Sequence, residues 1–503
     1  MIYNLNSGEV PIRHEYDLTI VGAGAAGITL AREWAGQDAK VALIETGGFE
    51  NSQKQRDLLK GEVTGGIVHG DRYLEVTRQK YFGGATNHWS GWCRPLDAID
   101  FEKRSWVPES GWPFGKEILE SYYRKAEKMV NIDPFPEVDD DKTLKPPKAE
   151  HPWFSMPFFQ FSVPPVNFRK AFREELEEAD NIDLFLYSNL ADVRLSDNNA
   201  KVEHIEIKGL QGYKAEINPG VFVLACGGIE NPRLMLNFRK DIPDGVGNQN
   251  GLVGKYFMEH PHFSESARVL GDLDKNGTSE GEFFLRKFDR DWTEVQNERV
   301  VVPSPQLMER EGLLNVSLQI FDHKNLDQLN SNPELNRALK QVTRKWWNKS
   351  NEDLKDTKRI FIRAEQPPEE KNRVELSNER DAIGLLRTHL YYDLSEKDRD
   401  NYKKTLELLA QYLGMKKRAR MRLDLKQETE LRGGAHHLGT TRMHSNPSKG
   451  VVDPDAKVHG IENFYIAGSS IFPTGGFANP TLTILALTLK LSDHLKEKLS
   501  RGK

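Results

Sequence analysis

Apolar and polar positions along the 503-residue chain follow two rhythms, short unbroken apolar runs and stretches of alternation. Between Tyr16 and Glu45 the sequence YDLTIVGAGAAGITLAREWAGQDAKVALIE carries apolar runs at 18–21 and 41–44, a glycine-rich turn after the first, and helical spacing over 28–36. Unbroken runs bounded by turn residues suit strands buried on both faces, so the segment predicts a βαβ unit of a parallel sheet. A second strand, Gly-Gly turn and helix start stand at 221–236, VFVLACGGIENPRLML, and fit the same sheet. Between them lie a charged helix at 167–177 and four stretches, IDLFLYS, ADVRLSD, KVEHIEIKG and YKAEINPG, that read as hairpin strands. Beyond Phe263, LLNVSLQIF, RIFIRAEQP and RTHLYYDL alternate or carry aromatics, whereas 324–357 and 395–412 are charged and helical. This predicts a second domain, an antiparallel sheet with covering helices. Pro-rich and acidic residues around 133–152, including EVDDDK, read as exposed connections.

The last seventy residues, 434–503, combine these signals with chemistry. GGAHHLGTTRM puts His436 and His437 on a glycine-rich turn, and NFYIAGSSIFPTGGFANPTLTILALTLKLSDHL follows. Leu482, Leu485, Leu489 and Leu495 recur at near-helical spacing, with Asn479 as N-cap and Pro480 in the first turn, where its missing N–H costs nothing. A helix N-terminus there carries unpaired N–H groups that stabilise an anion, and either histidine offers a base near neutral pH.

The glycines of the first unit suggest its ligand. In Gly22-x-Gly24-x-x-Gly27 the first glycine permits the tight turn, the second lets backbone approach a pyrophosphate, and the third lets helix pack on strand. Glu45, 18 residues after Gly27, is placed to bind a ribose diol. In RQKYFGGATNHWSGWCRPLD, Gly83-Gly84 reads as backbone laid against something flat or phosphorylated.

Composition narrows the function. A net charge of −5 with interspersed basic and acidic residues gives no footprint for nucleic acid. Cys93 and Cys226, without CxxC or Cys/His spacing, read as buried thiols in a reducing compartment, and no metal site is signalled. The N-terminus lacks a signal-peptide pattern and no long apolar run occurs, so the expectation is a cytoplasmic protein without a membrane partner.

Together the ends, the Gly-Gly-Ala-Thr-Asn-His-Trp loop, ACGG, MEHPH, HHLGTTRM and FPTGGFANPT resemble the glucose-methanol-choline (GMC) flavoprotein oxidoreductases, most of all the branch of pyranose oxidases and bacterial sugar or glycoside oxidases. The resemblance implies a Rossmann-like α/β FAD-binding domain from 1–98, 165–265 and 430–503, and a substrate domain from 99–164 and 266–429. It implies FAD as cofactor, Glu45 on the adenosine ribose, and Gly83, Gly84, Asn87, His88, Ala467, Gly468, Ser469, Pro480 and Thr481 around the flavin. It makes His436 the base, Asn479 its partner and His437 secondary. The reaction implied is oxidation of an alcohol to a carbonyl, on a pyranose sugar or glycoside, or else a simple or aryl alcohol, with part of 55–80 as a loop closing over the site. Oxygen or another acceptor would take the electrons, and a homo-oligomer is allowed. His88 aligns with the histidine that carries FAD covalently in fungal pyranose oxidases, but Asn87 stands where those have threonine, so a contact is preferred to a bond. A redox-neutral lyase and a non-catalytic FAD-binding protein are the alternatives from other classes.

Overall fold

Three unbroken apolar runs end side by side in one sheet. The computed structural model describes residues 1–9, 14–66, 70–136, 142–144, 149–271, 297–322, 357–416, 419–423 and 432–501. Its largest sheet has eight strands, in the order Ile2–Asn4, Ile182–Leu186, Val41–Ile44, Glu15–Val21, Lys214–Leu224, Val202–Lys208 and Asn189–Leu195, with Phe464–Ile466 alongside Lys214–Leu224. Glu15–Val21, the end of Lys214–Leu224, and Phe464–Ile466 run parallel, with Val221 against Leu18 and Phe222 against Phe464. They therefore finish at the same sheet edge, where each passes into a glycine turn. Ligands of open parallel sheets bind outside that edge.

Lys214–Leu224 also shows why its sequence reads as two strands. Its first half alternates between exposed and buried and pairs antiparallel with Val202–Lys208, whereas Val221–Leu224 is buried throughout in the parallel part. One strand spans the change of neighbours. Ile182–Leu186, expected in a hairpin, lies instead between Val41–Ile44 and Ile2–Asn4, parallel to both. Four of its five residues are buried, which suits a parallel interior and not a half-exposed hairpin.

The helix of the βαβ unit spans Ala25–Trp34 and starts three residues earlier than its spacing predicts, because the glycine turn itself supplies the first turn. The charged helix is Phe168–Glu178, with Asn167 accepting from the Lys170 N–H at 3.1 Å. The last helix, Thr481–Arg501, buries Leu482, Leu485, Leu489 and Leu495. Each contributes about 2 kcal/mol of burial that pins the helix against Ala25–Trp34 and Glu120–Met129.

A second sheet is antiparallel, in the order Val316–Asp322, Thr357–Ala364, Pro261–Gly271 and Ala419–Leu423, with Arg432–Gly433 added beside Pro261. The boundary placed after 265 falls inside Pro261–Gly271. Leu386–Tyr391 does not join this sheet but pairs with Arg373–Arg380 and, in parallel, with Gly61–Thr64. Glu396–Met415 forms the expected charged helix, with a capping box at Ser395 and Asp398. The other expected helix, 324–357, lies almost wholly outside the described residues, as does 137–141 of the acidic connection. Lys142–Leu144 forms a strand on Phe154–Met156 in place of a bare connection. Among the described residues no helix is long and apolar enough to cross a membrane, and no cluster of His, Cys, Asp and Glu could hold a metal.

Gly27 carries the packing between the first strand and its helix, since a Cβ there would lie 1.8 Å from the Gly22 carbonyl oxygen. That oxygen is main chain in a tight turn and has nowhere to go. Gly27→Ala is expected to destabilise the protein by about 3 kcal/mol or more, read as a lower thermal or denaturant midpoint. An unchanged midpoint would mean that the turn is not under this constraint.

Candidate active site

A cavity of about 520 Å³ opens at the glycine-turn edge of the large sheet, lined by Gly22, Gly24, Glu45, Gly84, Gly227, Gly468 and Ser469 together with His436, His437, Asn479, Pro480 and Thr481. Three helices point their N-termini into it, from Ala25, Gly227 and Thr481. Their first N–H groups lack partners within the helix and present partial positive charge. A more open groove of about 440 Å³ near Lys255 and Arg373 holds none of the expected residues.

The predicted residues divide into wall and support. Gly27, Gly83, Asn87 and Ala467 do not line the cavity. Gly83 takes φ +96° and bonds Ala23, so that Gly84 can approach the Gly24 backbone. Asn87 ties this loop together, its Nδ2 donating to the carbonyls of Phe82 at 2.9 Å and Gly84 at 3.1 Å. Ala467 is buried, its N–H on the Leu224 carbonyl. Glu45 lines the cavity as a buried carboxyl that accepts from the N–H of Ala23 at 2.9 Å and of Gly47 at 3.0 Å, and burial raises its pKa. His88 is an exposed residue at the wall, its Nε2 2.9 Å from the Tyr81 hydroxyl. Leu58, Leu59 and residues 76–80 also border the cavity, so part of 55–80 covers it, tied down by the Gly61–Thr64 pairing.

His436 and Asn479 meet at the wall, Asn479 Nδ2 standing 3.2 Å from His436 Nε2. The expected cap is not made. Pro480 supplies the carbonyl that takes the first helical bond, from Ile484, so Asn479 lies one residue outside the helix. Its Oδ1 is buried without a partner, and its amide serves His436.

Close packing places His436. The buried Glu259 carboxylate accepts from the N–H of Ala435 at 3.0 Å and of His436, and holds Ala435 at a left-handed φ of 59°. Such a conformation costs an alanine about 1–2 kcal/mol, which the two bonds to a buried carboxylate offset. Gly433 and Gly434 make room, since a Cβ at 433 would lie 1.8 Å from Glu259 Oε2 and one at 434 would lie 2.7 Å from His436 Nδ1. On the ring's other side His436 Nδ1 is 2.9 Å from His260 Nδ1, and His260 Nε2 is 3.3 Å from the Gly475 carbonyl. Burial first, and then the charges of His260, His262 and Arg363, push His436 well below the ordinary histidine range. It is a neutral base at neutral pH.

His437 differs. It is buried with its Nε2 3.1 Å from the Tyr73 hydroxyl, and Tyr73 is also bonded to Glu259. With the Tyr73 hydroxyl donating to the Glu259 carboxylate, His437 Nε2–H donates to the phenol oxygen, and burial holds this ring at about 3. Its nitrogen is spent on the support.

Glu259, His260 and His262 come from MEHPH, which gives no sign in sequence that it meets Ala435 and His436 some 176 residues away. Arg363, which faces His262 across the second sheet and lies 4.1 Å over Trp92, is likewise found only by that pairing. At another part of the wall Glu230 binds Lys80 at 2.7 Å, Arg233 at 2.8 Å and Arg78 at 3.3 Å, and Arg233 binds Asp381. Burial alone would raise the Glu230 pKa, but these cations outweigh it and hold the carboxyl ionised.

Residues 368–488 match the family model described as GMC oxidoreductase. The chain is 25% identical to 2-methyl-1,2-propanediol dehydrogenase of Mycolicibacterium austroafricanum, over 96% of each chain. It is 26% identical to the fructose dehydrogenase large subunit of Gluconobacter japonicus, over 56% of this chain and 48% of that one. A formate oxidase from Aspergillus oryzae RIB40 shares the fold with a TM-score of 0.55 at 16% identity, over 96% of this chain and 98% of that one. The matched family segment contains both His436 and Asn479, and likeness in sequence to a dehydrogenase and in fold to a formate oxidase runs nearly the whole length, so the chain is similar to the GMC oxidoreductases.

Proposed function

We propose that the chain holds FAD in this cavity and oxidises a carbon–hydroxyl group to a carbonyl, with a pyranose sugar or glycoside as substrate. The observation that carries the reading is the meeting of His436 Nε2 and the Asn479 amide at the cavity wall. The cavity suits a dinucleotide. Gly24, Gly227 and Gly468 line it, and at each the space a Cβ would fill is open, so backbone presents a smooth surface to a phosphate or a flat ring. Three helix N-termini add positive potential for a diphosphate, and Glu45 stands where a ribose diol would lie. The formate oxidase of the same fold was studied for its FAD modification. We assign the cofactor side to 1–98, 165–265 and 430–503, and the substrate side to 99–164 and 266–429.

Bound FAD supplies an acceptor for the hydride of the alcohol carbon. His436 takes the hydroxyl proton on the lone pair that now accepts the Asn479 N–H, and Asn479 orients the same oxygen. Burial keeps His436 ready for this, since a protonated ring cannot accept. His437 serves as support. The sugar reading draws on the fructose dehydrogenase likeness, while the likeness to a propanediol dehydrogenase along its whole length favours a small non-sugar alcohol as the second reading. Anaerobic flavin bleaching across sugars, glycosides and simple alcohols decides between them, and bleaching by non-carbohydrate alcohols alone rejects the first.

His436→Ala is expected to keep its FAD and lose about 100-fold to 10,000-fold in substrate-driven reduction, because the base goes and the nucleotide contacts stay. Asn479→Ala should slow reduction less and leave the folding midpoint nearly unchanged, since no cap bond is lost. A clear fall in that midpoint would restore Asn479 as a cap.

Activity should also persist in acid. A base with its pKa lowered is protonated only as pH falls past the lowered value, so the acid limb of kcat/KM should lie below the ordinary histidine value of about 6.5. A limb centred at or above that value would point to a solvent-exposed base.

For His88 the expectation is contact without a bond, as its Nε2 is already engaged by Tyr81. Acid denaturation and centrifugation should leave the yellow colour in the supernatant. A yellow pellet would establish covalent FAD.

A further inference from the structure

Two consecutive residues hold His436 from both sides, the Glu259 carboxylate accepting from its main-chain N–H and the His260 ring meeting its ring. The proton positions along the rings follow from one fixed acceptor. A carbonyl oxygen only accepts, so His260 Nε2, 3.3 Å from Gly475, carries a hydrogen. Neutral His260 then has its lone pair at Nδ1, and His436 Nδ1, 2.9 Å away, donates to it. Nε2 of His436 is left as the lone pair, which accepts from Asn479 Nδ2 at 3.2 Å. Reversing His436 and the Asn479 amide together would repair the Asn479 contact but set two lone pairs against each other at the Nδ1 pair.

We propose that His260 is a positioning residue for the base: anchored on the Gly475 carbonyl, it holds His436 in the Nδ1–H form with its Nε2 lone pair at the cavity wall, and it receives the Nδ1 proton when Nε2 is protonated. In that step the substrate O–H bond breaks and leaves its electron pair on oxygen. An N–H bond forms at His436 Nε2, and the Nδ1 proton moves across to His260 Nδ1. The pair gains one proton and one positive charge. A second is opposed by burial, which holds His260 at about 4 and His436 low, and by the Arg363 charge, while the Glu365 carboxylate favours protonation of His260. Sharing the charge over two rings lowers the cost of creating it away from bulk water. Glu259 cannot substitute, because its carboxylate is bonded to main chain and Tyr73.

The rate arm of the test rests on the alcohol-oxidation reading, whereas the tautomer arm does not. In FAD-loaded wild type, nitrogen-15 NMR of labelled histidines, with His436 assigned by its loss in His436→Gln, should show hydrogen on Nδ1. His260→Gln can donate to Gly475 and accept from His436 but cannot take up its Nδ1 proton, so it should keep that tautomer and reduce flavin about 10-fold more slowly than wild type. His260→Leu can do neither, and at equal FAD content it should mix the tautomers and slow reduction by about 100-fold. Hydrogen on Nε2 of His436 in the wild type overturns the proposal, as does His260→Leu at the wild-type rate or His260→Gln as slow as His260→Leu. Should His260→Leu fail to load FAD, the wild-type tautomer and the His260→Gln rate decide, with a loss of about 100-fold in the latter overturning it. A wild type that no alcohol reduces rejects the alcohol reading, and the tautomer measurement still decides the role of His260.

Discussion

A carboxylate taken wholly out of water is the constraint on which the site depends. Glu259 is 0% exposed, and burial pushes its pKa up to about 7, so it is tolerable only where hydrogen bonds replace its water. Those bonds come from Ala435, His436 and Tyr73. Each ties a different part of the site to one group: the left-handed turn, His436, and, through Tyr73, His437. Gly433 is required because any side chain there would stand where the carboxylate does. The glycine-rich run before the histidines is thus a matter of room as well as of flexibility.

The large sheet supplies the opposing half. Three parallel neighbours end at Val21, Leu224 and Ile466 and pass into turns at Gly22, Gly227 and Gly468. A sheet edge is a row of fixed positions, so the turns are held in register by the strands and not by each other. Gly228 joins the halves, since a Cβ there would lie 2.2 Å from the His437 carbonyl oxygen. The histidine turn is seated directly on the start of the Gly227–Asn237 helix. Strand register and the position of the histidine turn are therefore one mechanical problem.

What was legible in the sequence was local. The βαβ unit, the second Gly-Gly turn and the long last helix each declare themselves within about thirty residues, through apolar run length, glycine spacing and leucine periodicity. The meeting of His436 with Asn479 was legible only through family resemblance joined to their place on a turn and a helix start. Local rules misled at Asn479, where the best-ranked cap residue is used for something else, and at Ile182–Leu186, whose pairing depends on Val41–Ile44 far away in the chain. Glu259, His260 and Arg363 were not legible, because their meaning lies in contacts between segments more than a hundred residues apart or across a sheet register. Short-range periodicity carries no record of such pairings.

The wall residues also differ in charge, and the difference follows from partners and not from composition. Around His436 burial keeps His260, His262 and His437 neutral, helped by the Arg363 charge at the first two and by Arg78 at the third, so His436 stands among uncharged rings with Arg363 as the nearby cation. Around Glu230 the cations Arg78, Lys80 and Arg233 face the carboxylates of Glu230 and Asp381, and the excess is positive. A ligand with an anionic part and a neutral reactive part, such as the FAD and alcohol proposed here, matches that division. Its anion is drawn to the cation-rich wall and the helix N-termini, where field is available without proton transfer. The wall of uncharged rings is left free for the single proton that the reaction must move.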